Sequence, residues 1–479
     1  MSRQGSVILL EFNELTPALM MRFVQARKLP NFARLYREAH VYVTDAEEQA
    51  PYLEPWIQWV TVHTGLGYGE HGVFDLGDGH KLGSARVWDL VSDSGGRVLV
   101  CGSMNIGYRE PIAGVILPDP WSVGVSPHPV DLTPYYEFVR RHVQEYTRGD
   151  VPLSMSDYAR FLRFMITHGL SRATVRAIVQ QLLTERWRDT QWKRASIMDR
   201  LQWDVFRSYY AKERPQLATF FLNSTAHFQH AYWRNMDPAP FTVKPSAGEQ
   251  AAHANSVFYG YQQMDRIVGE CLELAGPETT IVMCSALGQQ PCLTYESTGG
   301  KTFYKPRDPD RLFALAGLPR PYRYAPLMSE EFHLYHKDEA DAREAVTRLS
   351  ALHLDGRPAL HARYSGAEVF AGCAIFESVD DEAILSIRET NRPERFFDLF
   401  YGVDTMKSGM HHPDGLLWIR TPAREHQAWP DRVSLRSVAP TILGLLGLRR
   451  PVSMRGEPLM TQCQPRQVAA SPSPPARAR

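Results

Sequence analysis

The run SVILLEF at residues 6–12 is almost continuously apolar, the pattern of a strand buried on both faces of a parallel sheet. Residues 16–39, TPALMMRFVQARKLPNFARLYREA, then switch to helical spacing, interrupted by Pro30. Apolar runs return at RVLVCG (97–102), QLATFFLN (216–223) and TTIVMCS (279–285), and GYQQMDRIVGECLELA (260–275) again has helical spacing. Strand and helix in alternation predict an α/β core, a parallel sheet sandwiched by helices.

Two long segments break the rhythm. Residues 131–213 carry YYEFVRRHVQEY, ARFLRFMITHG and VRAIVQQLLTERW, all of helical spacing, and read as a helical cap inserted between two parts of the core, 1–130 and 214–290. Residues 291–405 read as a second, α+β insertion, with GGKTFYKPRDPDR as loop and KDEADAREAVTRLSALHL as an exposed, charge-laced helix. The core closes over 406–462 with a strand, DGLLWIR (414–420), and a helix, SVAPTILGLLGL (437–448). Residues 463–479 end in SPSPPARAR, a Pro-rich basic composition that predicts a disordered tail.

Composition narrows the partners. Lys plus Arg and Asp plus Glu each number 53, so no net charge draws the chain to nucleic acid or to an anionic membrane, and a small-molecule substrate is the expectation. The six cysteines form no CxxC pair, which predicts reduced thiols rather than a zinc ribbon or a disulfide framework. MSRQGSVILLEFNEL lacks a secretory apolar region, and no stretch reaches 18 apolar residues; a cytoplasmic, soluble protein is expected.

In open α/β sheets chemistry collects at the carboxyl ends of the strands, which carry EFNEL, NSTAHFQH and SALGQQ. His227 and His230, three residues apart, share one face of a helix. They are either ligands of one ion or a solvated pair, and distant segments must supply the remaining ligands if a site exists.

LPNFARLYREA (29–39), WVTVHTGLGYGEHGV (59–73), SGMHHPDGLLWIR (408–420) and VAPTILGLLGLRRPVSMRGEPL (438–459) resemble, in order, motifs of the alkaline phosphatase superfamily, especially its type I phosphodiesterase and nucleotide pyrophosphatase branch. The resemblance covers the first 75 residues, about 216–290 and about 407–460. It implies an alkaline-phosphatase-like fold, two zinc ions held by Asp and His, and a Thr or Ser nucleophile between them.

Set against that pattern, the ligand loops are altered. The family's Asp-Gly after the first strand is Asn13-Glu14, and its nucleophile position falls on Pro55, between Glu54 and Trp56. Its Asp-x-x-x-His becomes Ala226 to His230, with His227 as a substitute, and its Ser-Asp-His-Gly becomes Ser285-Ala286-Leu287-Gly288. His411 stands at the terminal zinc histidine, with His412 beside it. The resemblance therefore implies at most one divalent metal, zinc, manganese or iron, at His227, His230 and His411.

It also projects Glu11, Glu14 and Glu54 into the same pocket, as a further ligand or as general bases. Alternatively, Glu14 caps the helix near Thr16 and Glu54 forms an ion pair. Asn13, Asn223 and Gln289 suit hydrogen bonding to substrate or a structural role, and Trp56 suits stacking or core packing. Lys301 and Lys305 make an anion-binding lid or a solvated loop, while Asp265 is expected to face solvent or a loop. Three functions follow: a divergent enzyme acting on a phosphorylated, nucleotide- or sugar-linked small molecule, a catalytically inactive binding or assembly protein, or a non-hydrolytic group-transfer enzyme of a biosynthetic pathway.

Overall fold

The computed structural model describes residues 5–122, 124–148, 153–327, 330–387, 394–402 and 406–460; the tail expected at 463–479 lies outside them. Strand Ser6–Phe12 is central because its alternate side chains are apolar on both faces. Ile8, Leu10 and Phe12 enter one buried cluster, whereas Val7 and Leu9 enter another on the opposite face. Leu217–Leu222 lies on one side of it and Thr279–Ser285 on the other, both parallel. Beyond Leu217–Leu222 come Val98–Cys101 and Gly114–Leu117, also parallel.

On the far side the sheet runs from Thr279–Ser285 to Asp414–Arg420, then His40–Asp45, with the short strands Gln427–Ala428 and Val433–Ser434 completing nine. Asp414–Arg420 is antiparallel to both neighbours, so the sheet is mixed rather than wholly parallel as expected.

Helices cover both faces. Residues 16–39 form Pro17–Gln25 and Pro30–Arg37, and the second packs against Ser256–Leu274. Asp265 makes that junction. It is buried rather than solvent-facing, and accepts hydrogen bonds from Asn31 N (3.0 Å), Phe32 N (2.8 Å) and Asn31 Nδ2 (3.0 Å), which satisfies the free N–H groups at the start of Pro30–Arg37.

Between residues 133 and 213 the chain forms helices Thr133–Arg148, Met155–Thr167, Arg172–Thr184 and Arg194–Glu213. Arg194–Glu213 lies on the sheet, with Trp203, Phe206 and Tyr209 buried in the same cluster as Phe220.

A separate apolar cluster serves residues 304–400, where two four-stranded antiparallel sheets form. Glu339–Ser350 is the helix expected there, but it ends early, and Leu352–Leu354 is a strand. Its Ala342, Ala345 and Leu349 face is buried, so the helix is only half solvated. The cysteines within the described residues, Cys101, Cys271, Cys284, Cys292 and Cys373, are free and buried. Among the described residues no helix is long and apolar enough to cross a membrane.

Candidate active site

Three segments meet where the central strands end. The first is the turn Asn13-Glu14, which follows strand Ser6–Phe12. The second is helix Ser224–Met236, which starts directly after Leu217–Leu222. The third is the hairpin of Gly288–Pro291 with Gly409–His412, in which His411 pairs with Gln289. Ser408 N donates to His230 O at 2.7 Å and so fastens the hairpin to the helix.

Glu14, His230 and His411 converge there, their ligating atoms all within 4.8 Å of one another. Glu14 Oε2 lies 2.9 Å from His230 Nε2 and 3.5 Å from His411 Nε2. The far nitrogen of each ring is also engaged. His230 Nδ1 lies 2.9 Å from Gly409 O and His411 Nδ1 lies 3.4 Å from Glu54 Oε2. Without an ion, Nε2–H of His230 donates to Glu14; an ion bound between them would displace that proton, with Nδ1 held by its outer acceptor, as in sites where an outer acceptor orients a metal-binding histidine.

Glu14 is 2 % exposed. Burial by itself raises its carboxyl, but His230 and His411, with hydrogen bonds from His230 and Gln289, outweigh it and hold the group at about 2. Burial lowers His411 to about 3 against the pull of Glu14, so its imidazole is neutral, the ligating form. Burial raises Glu54 to about 8, opposed by Lys407 and Lys301 and reinforced by Glu331 and Glu14.

The backbone at Glu14 has φ +59°, a left-handed conformation uncommon for a residue with Cβ. It is the position at which the motif described above has glycine. Glu14 keeps the glycine backbone shape and adds a carboxylate, held by Asn13 Nδ2 at Oε1 (2.9 Å) and by Gln289 Nε2 at Oε2. It does not cap Pro17–Gln25; Thr16 Oγ1 bonds to the Gln289 backbone instead, and that helix has no side-chain cap.

Other candidates fall elsewhere. Glu11 points to the opposite sheet face from Phe12, where it meets His63 Nε2 at 2.8 Å and accepts from Ser103 Oγ in a fully buried network. Strand alternation thus separates Glu11 from Glu14. His227 is exposed and outside the ligand group; Glu14 takes the place expected for it. Asn13 and Asn223 bond to each other at 2.8 Å, and Trp59 Nε1 donates to Asn13 Oδ1 at 2.8 Å. Gln289 supports Glu14 and also donates to Ala226 O at 3.1 Å.

Trp56 donates its indole N–H to Phe74 O at 2.9 Å and packs on the core, which is anchoring rather than stacking geometry. Lys301 pairs with Glu330 at 3.1 Å and lies over the Phe376 ring, so it is not a solvated loop residue. Lys305 is lowered to about 8 by burial, against the pull of Glu330 and Glu331.

Pro55 opens helix Pro55–Thr64 and carries no hydroxyl, while its N-cap residue Glu54 turns its side chain to His411 instead of capping. Ser285 accepts from Leu15 N (2.8 Å) and donates to Leu287 O (2.7 Å), a purely structural role.

Sequence reasoning missed Gln229, fully buried, whose Nε2 donates to Glu14 O at 2.7 Å and whose Oε1 accepts from Tyr261. A glutamine beside His230 carries no pattern that separates it from a surface residue. Lys407, the nearest cation to Glu54 in electrostatic effect, was missed for the same reason.

The profile of the family described as Type I phosphodiesterase / nucleotide pyrophosphatase matches residues 7–365. No curated protein matches the chain. Among solved structures, murine ectonucleotide pyrophosphatase / phosphodiesterase 5 is similar at 10% identity and TM-score 0.43, covering 93% of this chain and 96% of that one. Phosphonoacetate hydrolase from Sinorhizobium meliloti 1021, in complex with phosphonoacetate, is similar at 11% identity and TM-score 0.40, covering 92% and 96%. Wild-type alkaline phosphatase PafA is similar at 10% identity and TM-score 0.46, covering 96% and 99%.

Proposed function

The chain belongs to the type I phosphodiesterase / nucleotide pyrophosphatase family of the alkaline phosphatase superfamily, and we propose that it is a hydrolase of phosphorylated, nucleotide- or sugar-linked small molecules. In this reading it uses one divalent ion held by Glu14, His230 and His411, and water in place of a side-chain nucleophile. The observation that carries the reading is the convergence of three ligating atoms within 4.8 Å, with both outer ring nitrogens engaged. Zinc, manganese or iron bound there supplies Lewis-acid polarisation of a phosphoryl oxygen.

The donor set fits one ion and not two. Where the family pattern has its first-loop Asp, Asn13 is a neutral amide already bonded to Asn223 and Trp59. Ala286 and Leu287 offer no donor side chain in the loop after Thr279–Ser285. Glu54 positions the His411 ring, and its ionised form, which dominates only above about pH 8, is assigned to take the proton of the attacking water as the P–O bond to the leaving group breaks.

The amide pair also favours a second reading, a binding protein without turnover, because it closes the second-ion position with hydrogen bonds rather than leaving it open.

Metal analysis by inductively coupled plasma mass spectrometry on untagged protein separates the possibilities. About one equivalent is expected in wild type and in His227→Ala, and none in Glu14→Gln, His230→Ala or His411→Ala. Hydrolysis of bis-p-nitrophenyl phosphate should follow the metal and fall on Glu54→Gln with the metal retained. Full metal content with no turnover of this or other phosphate esters moves the assignment to the binding protein; no metal after reconstitution overturns the site itself.

A further inference from the structure

Helices Met155–Thr167 and Arg172–Thr184 are amphipathic in the ordinary sense on their inner sides. Phe164 and Met165 are buried, and Phe161 stacks on Phe138 at 3.9 Å between ring centroids. Their outer sides are unusual. Met155, Tyr158, Leu162 and Ile166 are exposed along one face of the first helix, at i, i+3, i+7 and i+11. Val175, Val179, Leu182 and Leu183 are exposed along the second, and Trp187 just beyond its end is 87 % exposed.

Nine of the sixteen exposed large apolar side chains among the described residues thus fall between 155 and 187, a concentration that scattered surface residues do not produce. The same stretch carries Arg160, Arg163, Arg172, Arg176 and Arg186 against Asp157 and Glu185, and Arg188 and Asp189 follow it as a balanced pair. Both carboxylates are already held by arginine, Asp157 by Arg141 and Arg160, and Glu185 by Arg194.

We propose that this face docks on an anionic lipid bilayer, with Trp187 and the aliphatic side chains in the interfacial layer and the arginines among the headgroups. Charge complementarity selects the occupant. A second copy related by a twofold axis meets the patch with itself, arginine against arginine, which is repulsive. An anionic bilayer accepts the apolar row and the cations together. The helices have 13 residues each, which fits lying on the membrane and not crossing it. Overall composition predicts no membrane partner because acids elsewhere in the chain balance these arginines; the separation of charge appears only in the fold.

The test is cosedimentation of the full chain with vesicles of phosphatidylcholine alone and of phosphatidylcholine with about one third phosphatidylglycerol. Binding to the anionic vesicles is expected to be at least roughly ten-fold tighter, to weaken by roughly five-fold for each of Arg172→Ala and Arg176→Ala, and to weaken with added salt. Val179→Asp with Leu183→Asp should abolish it, and Trp187→Asp, at the most exposed position, provides a second variant that leaves the fold untouched; circular dichroism checks both. No binding to the anionic vesicles, equal binding to neutral ones, or indifference to these substitutions overturns the proposal. So does a dimer in light scattering that Leu183→Asp disperses, since the second copy would then be the occupant.

Discussion

Glu14 provides a comparison in which side chain and backbone separate. Glu14→Ala and Glu14→Gly both delete the carboxylate and with it the bonds from Asn13, Gln289 and His230, so that loss cancels between them. What remains is the φ of +59°. A residue with Cβ costs about 1–2 kcal/mol in that conformation and glycine costs nothing there. Glycine loses about 0.5–1 kcal/mol more chain entropy on folding. The difference leaves Glu14→Gly the more stable by about 0.5–1 kcal/mol, against the usual order of the two residues. Urea unfolding of both proteins in chelator measures it, as a higher midpoint at equal slope for the glycine variant. Alanine equal to or better than glycine would refute the claim that a glycine backbone shape has been retained under a glutamate. Metal analysis of the same samples adds a second check: both variants should be empty, and metal in either removes Glu14 from the ligand set.

Asp265→Ala should destabilise by about 2–4 kcal/mol, because it leaves the N–H groups of Asn31 and Phe32 without their acceptor, whereas Asp265→Asn keeps an oxygen there and should cost about 1 kcal/mol or less; thermal or urea unfolding distinguishes them. At Gly409 an added Cβ would stand 2.2 Å from Gln289 Oε1 and 2.6 Å from Gln229 O, so Gly409→Ala should shift the strand bearing His411, break the His230 Nδ1 contact, and weaken metal binding by roughly 10–100-fold in a chelator competition. Asp199 is buried and raised from 3.8 to about 7 by burial, against the Ser224 hydroxyl that donates to it. Its folded value lies above its unfolded one, so the unfolded chain ionises first and stability falls between about pH 4 and pH 7. About three units at ~1.4 kcal/mol each set the full cost at ~4 kcal/mol above pH 7. Asp199→Asn should remove that slope, gaining most at pH 8 and little at pH 4; parallel slopes for the two proteins would show that Asp199 ionises freely in the fold.

The sheet was legible because a strand buried on both faces must be apolar throughout, and SVILLEF, QLATFFLN and TTIVMCS leave no other placement. Direction was not, since an apolar run reads alike either way, and Asp414–Arg420 runs against its neighbours. Of the site, His230 and His411 were readable from motif position. The choice between His227 and Glu14 was not. His227 and His230 differ by about 60° around the helix axis, and which of them faces the hairpin is set by how the helix is rotated, through the bonds from Ser408 to His230 O and from His230 to Gly409. Glu14 stands with Glu11 and Glu54 as a candidate further ligand or base, and the sequence does not choose among the three. A pattern with glycine at that place records a backbone shape, and the fold retains that shape under the glutamate at a cost of about 1–2 kcal/mol. The neighbouring Asn13 completes the exchange. Its side chain is tied into neutral hydrogen bonds with Trp59 and Asn223, so the negative charge of this turn sits one residue later, on the side of the two histidines. A shift of one residue in a tight turn turns the side chain to a different wall of the pocket. That shift, together with the loss of donor side chains at Ala286 and Leu287, is what the one-ion reading of this site rests on.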